Sequence, residues 1–166
     1  MKRITLLAGL IVVFMLSNCA GPKEEKVDID NEITEVKKVL DKYRYANENQ
    51  DMNLIEEIWC DDETIVSIGT ESGERLVGFS EIRKAIQFQF DNFTEVFITP
   101  ANQLVQISED GRTAWFSQTM NYNFILDGKP YEFPHLRYTG VLMKKNGKWK
   151  IVQTHMSVPY NPLRER

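Results

Sequence analysis

Ile29, Ile33, Val36, Leu40 and Tyr43 recur at steps of four, three, four and three residues. That spacing is one apolar stripe of a helix over about residues 29–46, with Lys37, Lys38, Asp41 and Lys42 on its wet side. Asn47-Glu48-Asn49-Gln50 breaks the pattern, and Asp51 then caps a short second helix bearing Leu54, Ile55, Ile58 and Trp59. Thr64 to Ile68 reads as a short strand, Gly69 to Glu74 as a turn-rich loop, and Arg75-Leu76-Val77 as a strand pairing back before Gly78. Ser80 is placed to cap a third helix with Ile82, Ala85, Ile86 and Phe90 on one face.

Beyond that point the period changes from helical to alternating. Asp110-Gly111, Asp127-Gly128 and Asn146-Gly147 divide four β-rich runs at about 94–108, 112–126, 130–145 and 148–157. Such dipeptides between β-rich runs are the strongest short-range hairpin signals, so the four runs form an antiparallel meander. Runs this long must twist and curve, and a curved sheet has a concave face that needs filling. The three helices are the available filling. Helices on one face of a curved antiparallel sheet make an α+β domain.

The chain opens with Lys2 and Arg3, an apolar run from Ile4 to Leu16 without a charge, and then Leu16-Ser17-Asn18-Cys19. This is the layout of a secretory signal. Its ending resembles the lipobox of bacterial lipoproteins, although Asn18 stands where Gly, Ala or Ser is usual. An ordinary signal cleaved near Ala20-Gly21 and an uncleaved anchor are the alternatives, but the apolar run is short of the roughly 20 residues a spanning helix needs. On the lipobox reading, residues 1–18 are removed, Cys19 carries the lipid and 19–28 form a polar tether. The protein then sits in a bacterial cell envelope, on the periplasmic or surface side of a membrane. Residues 29–160 form the one domain, and 161–166 are a short tail.

The whole chain has 166 residues with a net charge of −4; without residues 1–18, and so without Lys2 and Arg3, it has 148 with 18 basic and 24 acidic, or −6. No Lys/Arg block stands out, which leaves nucleic-acid binding without electrostatic support and any membrane attachment to the lipid. If Cys19 is lipidated, Cys60 has no partner in the chain, so the fold stands without a disulfide, and Cys60 reads as a small buried hydrophobe. His135 and His155 show no metal-ligand spacing, and no phosphate-binding or dinucleotide motif is present. No metal and no cofactor are expected.

The order of elements resembles the nuclear transport factor 2-like fold, and within it the SnoaL-like group, over about residues 29–160. The local marks are Asp51 opening the second helix, Trp59 followed by Asp61-Asp62, and Gly78 before the third helix. The most specific is Asn146-Gly147-Lys148-Trp149 followed by Val152, His155 and Ser157, which is similar to the last hairpin of the calcium/calmodulin-dependent protein kinase II association domain. The resemblance implies a cone-shaped domain with a pocket between helices and sheet, commonly a homodimer. It does not imply a chemistry, because this fold carries enzymes, scaffolds and binders alike.

Ketosteroid isomerases of this fold place an Asp base on the strand after the second helix. The matching stretch here, Thr64-Ile65-Val66-Ser67-Ile68, holds no carboxylate. The arginines that line the kinase domain's pocket are matched by Gln118 and Gly140, so an acidic ligand is not implied. Alternation lines the concave face with Phe116, Gln118, Met120, Tyr138, Thr154 and Met156, joined by Tyr43, Trp59 and Phe90 from the helical half. That is a greasy pocket with few polar handles. Trp115, Arg137, Thr139, Trp149, His155 and Ser157 fall on the convex face, unless a bulge, with Pro134 the irregular point, turns Arg137 and His155 inward. The leading expectation is a lipoprotein binding a small apolar molecule without catalysis. One alternative is an isomerase or cyclase using Tyr43 with His155 or Arg137. The other is an interaction module presenting its convex sheet, with an exposed patch around Trp115 and Trp149.

Overall fold

The computed structural model describes residues 27–159. The expected signal peptide, Cys19, most of the tether and the tail at 161–166 lie outside the described residues.

Helix α1 spans Ile29–Asn49, and Asp28 caps it by accepting the Asn31 N–H at 3.1 Å. It runs past the expected break at Asn47. Asn47 is buried and donates its side-chain amide to the Tyr43 carbonyl at 2.7 Å, so its polarity is satisfied inside the helix. The turn comes at Gln50, in the left-handed region at φ 56°. Asp51 then caps helix α2, Met52–Ile58, by accepting the Leu54 N–H at 3.0 Å.

Strands β1, Val66–Ile68, and β2, Arg75–Val77, form a short hairpin at one edge of the sheet. Helix α3, Phe79–Asn92, starts earlier than Ser80 would place it, and its cap position is Gly78, with no side-chain bond. Gly78 fits because its φ is 84° and its N–H donates to the Ile65 carbonyl at 2.8 Å. The chain passes directly from α3 into β3, Phe93–Ile107, followed by β4, Thr113–Leu126, β5, Lys129–Lys145, and β6, Lys148–Ser157. Asp127-Gly128 and Asn146-Gly147 have positive φ at both turn residues, as tight hairpins require.

The sheet order is β2-β1-β6-β5-β4-β3. The meander is antiparallel, and β1 joins β6 in parallel, so the six-stranded sheet is mixed. Parallel pairing follows from the long α3–β3–β4–β5 excursion between the two strands.

Three strands carry irregularities. β3 shifts register near Glu95 and Asn102, both at φ 52°. β5 bulges at Pro134–His135, where His135 has φ 55° and its N–H donates to the Asn121 side chain at 3.1 Å. β6 bulges at Val152, between the pairs Leu142–Ile151 and Val141–Gln153. This last bulge corrects the simple alternation: Trp149 and Ile151 are buried on the inner face with Thr154, instead of on the convex side. Trp149 donates its indole N–H to Glu32 at 2.7 Å, and Lys144 pairs with the same carboxylate while lying over the indole ring.

The core lies between α1 and the inner sheet face. Val36, Leu40, Tyr43 and Ala46 bury their side chains there, and Tyr43 packs on Tyr138 with ring centroids 5.2 Å apart. Gly140 sits at the tightest point. A Cβ there would stand 2.4 Å from the Gln153 carbonyl and 2.7 Å from the Phe116 ring. Gly140→Ala is therefore expected to destabilise by about 1–3 kcal/mol, as overpacking does. A urea unfolding midpoint unchanged from the parent would contradict this packing.

Candidate functional site

A cavity of about 430 Å³ opens between α3, the β1–β2 hairpin and the far end of the inner sheet face. α3 lines it with Ile82, Ile86 and Phe88, and β4 with Tyr122 and Phe124. β5 adds Phe133 and Leu136, and β6 adds Met156. Tyr43 and Trp59 reach it from the α1 and α2 side. The Pro134–His135 bulge explains Phe133. Strict alternation would put it outside with Arg137, but the bulge reverses the parity and pairs it with the inward Tyr122.

The wall is strongly aromatic. Phe124 stacks on Phe93 at 4.0 Å and on Tyr131 at 5.3 Å, and meets Tyr122 edge-on at 5.7 Å. Polar groups are few. Trp59 is buried, and its indole N–H has no hydrogen-bond partner. Ser67 in the wall is already paired with Thr154 at 2.9 Å. At the rim lie Glu71, exposed, and Glu74, half-buried; Glu74 accepts the Glu71 N–H at 3.2 Å. The Glu74 carboxylate lies over Gly69, where a Cβ would come within 1.9 Å of it.

Three of the residues expected to line a pocket do so: Tyr43, Trp59 and Met156. Phe90, Phe116, Gln118, Met120, Tyr138 and Thr154 are buried but outside this cavity. α1 fills the sheet over Tyr138 and Phe116, so the open space lies further along, toward Tyr122 and Phe124. Of the acid–base candidates, only Tyr43 is in the wall; Arg137 and His155 are exposed on the convex face. Tyr43 therefore has no basic partner in the cavity, and the Tyr/His/Arg set does not assemble. The convex Trp patch is also incomplete, because Trp149 is buried while Trp115 is exposed and donates to Gln106 at 2.6 Å. Phe97 and Phe88 are exposed, and Phe88 borders the cavity. Cys60 is partly buried, with its N–H on the Ile151 carbonyl. Among the described residues no cluster of metal-ligating side chains occurs, and no helix is long and apolar enough to cross a membrane.

Sequence reasoning passed over Glu74, Tyr122, Phe124 and Phe133 as site residues. Tyr122 and Phe124 were legible on the inner face of their strand. Glu74 and Phe133 were not, because a loop fold and a bulge place them.

The helices on a concave mixed sheet, enclosing a cavity under the third helix, define the class. The SnoaL-like domain family matches residues 36–161, and the chain belongs to that family. No curated protein matches the chain. Similar solved structures include a nuclear transport factor 2-like superfamily protein from Salmonella enterica serovar Typhimurium, with 17% identity, TM-score 0.71, and coverage of 80% of this chain and 94% of that one. A candidate dehydratase of the same fold from Streptomyces avermitilis has 17% identity, TM-score 0.71, and coverage of 80% and 99%. A candidate aromatic ring hydroxylase from Novosphingobium aromaticivorans has 18% identity, TM-score 0.70, and coverage of 80% and 92%. At these identities the likeness shows the fold alone.

Burial governs the phenols of the site. It pushes Tyr43 from 10.0 up to about 12, against the lowering effect of Tyr138 and Asn47. It also pushes Tyr122 and Tyr138 up, with Tyr43 adding to both. At neutral pH all three are uncharged hydroxyls, able to donate a hydrogen bond but not to act as bases. Each has a higher pKa folded than unfolded, so its contribution to stability is complete below about pH 10 and is lost as pH rises through the folded value. The unfolding free energy from urea titrations should therefore fall between pH 10 and 12, by up to about 1.4 kcal/mol per pH unit for each phenol. Tyr43→Phe should make that fall shallower. An identical pH dependence in the variant would refute the assignment.

Proposed function

We propose that this SnoaL-like protein is a lipid-anchored component of a bacterial cell envelope that binds a small, mostly apolar molecule without catalysing a reaction. The observation that carries the binding reading is the aromatic cavity of about 430 Å³, a size typical of small-molecule sites. The reading without catalysis is supported by the side chains that border the cavity: its phenols are neutral, Glu71 and Glu74 lie at the rim with no Lys, Arg or His beside them in the wall, and Arg137 and His155 lie on the other face of the sheet. The anchoring is supported by Leu16-Ser17-Asn18-Cys19 after the apolar run.

The binding test is calorimetry on the full chain in nonionic micelles, with empty micelles as blank and the neutral probe 2-(1-naphthyloxy)ethanol. One saturable site with Kd on the order of 10–100 μM is expected, in line with the efficiency of small ligands. Ala85→Phe, which fills the cavity from α3, should weaken it at least about tenfold by removing the space. Non-saturable uptake equal to the micelle blank would sink the binding reading.

Anchoring is tested by feeding labelled palmitate to bacteria expressing the full chain. The label should follow the protein into membranes and vanish in Cys19→Ala. Label retained in that variant, or absent from the parent, would exclude Cys19 as the lipid site.

A further inference from the structure

The cavity has charge of one sign only. Glu71 and Glu74 stand at its rim, and no Lys, Arg or His forms part of its wall. Among the described residues neither carboxylate has an ion-pair partner, although six other pairs exist on this surface. Arg75, next to Glu74 in sequence, is exposed and turned away from the wall. Glu74 is also held in place: it caps the Glu71 N–H, and the missing side chain at Gly69 makes room for its carboxylate.

Behind the rim the wall is apolar and aromatic, with Phe88, Tyr122 and Phe124 among its side chains. Unpaired carboxylates at the mouth of an apolar cavity attract a cation and repel an anion, because the low-dielectric wall screens their charge poorly. A second and independent observation is an unpaired donor. Trp59, a residue of the cavity wall, is 2% exposed, and its buried indole N–H has no protein partner. A buried donor without an acceptor costs stability unless a ligand or water supplies one.

We propose that the cavity selects a cationic amine with an apolar body that carries an acceptor oxygen. The ammonium sits at the rim on Glu74, with Glu71 beside it. The body lies against the aromatic wall, and the oxygen accepts from Trp59. This inference rests on the binding reading above and gives it a ligand class.

The test is calorimetry with an isosteric series on the full chain in nonionic micelles: 2-(1-naphthyloxy)ethylamine, 2-(1-naphthyloxy)ethanol and (1-naphthyloxy)acetate. All three share the naphthyl ether and are close in size, and their heads are cationic, neutral and anionic. At neutral pH and low salt the amine should bind about tenfold tighter than the alcohol, and the acid weaker than both. The preference should shrink as salt rises. Glu74→Gln, which keeps shape and hydrogen bonding, should bring the amine to the level of the alcohol and leave the alcohol unchanged. Gly69→Ala, which displaces the same carboxylate by packing, should do likewise.

Equal affinity of amine and alcohol, tightest binding of the acid, or a preference that survives Glu74→Gln would each overturn the proposal while leaving the cavity a binding site. Failure of all three probes to saturate would overturn the binding reading itself, and this proposal with it.

Discussion

A long curved sheet exposes one concave face, and in this chain α1 must cover most of it. The helix does so with a single stripe, Val36, Leu40, Tyr43 and Ala46, laid across the inner face. Ala46 is fully buried in that contact, and Tyr43 meets Tyr138 ring to ring. Polar ties fix the helix at both ends. Glu32 accepts from Trp149 and pairs with Lys144, and Glu48 accepts the Ile98 N–H at 2.9 Å beside the first β3 irregularity. Everything else is arranged around that seating. α2 closes one flank, α3 the other, and the space that remains under α3 is the cavity.

The bulges decide what this seating brings inside. A strand alternates faces with a period of two, so one extra residue reverses every side chain beyond it. At Val152 the reversal lets β6 bury Trp149 and Ile151 as well as Thr154. At Pro134–His135 it turns Phe133 into the cavity, while Arg137 and His155, beyond it and on the neighbouring strand, keep the outward direction that alternation gives them.

On the proposed reading the site holds a molecule rather than converting it. Its hydroxyls are kept neutral by burial, the buried indole N–H of Trp59 has no partner, and the only charged side chains in its wall are the carboxylates at the entrance. A site with few fixed polar groups and much apolar area takes its affinity from burial and its orientation from those few groups. A lipid anchor at Cys19 would hold such a binder at a membrane surface.

The α+β architecture was legible in local pattern: the 4-3-4-3 stripe, the Asp51 cap and the Asp-Gly and Asn-Gly turns are short-range signals that each specify one element. The even-numbered inner face of β4, from Ala114 to Phe124, follows from alternation alone. The run Asn47–Gln50 misled because a buried amide can be satisfied by its own helix. Ser80 misled because the helix begins before it at Phe79, where the chain enters through Gly78 at a positive φ and no side chain caps the start. The site was less legible. Tyr43, Trp59 and Met156 could be named in advance, since periodicity points them at the sheet. Arg137 and His155 face outward as alternation placed them, whereas Glu74 and Phe133 depend on a loop closing over Gly69 and on where β5 bulges. Local sequence determines which face of an element is apolar. Where two such faces leave a gap, and which side chains border it, is decided only when helix and sheet pack, because the gap belongs to neither element alone.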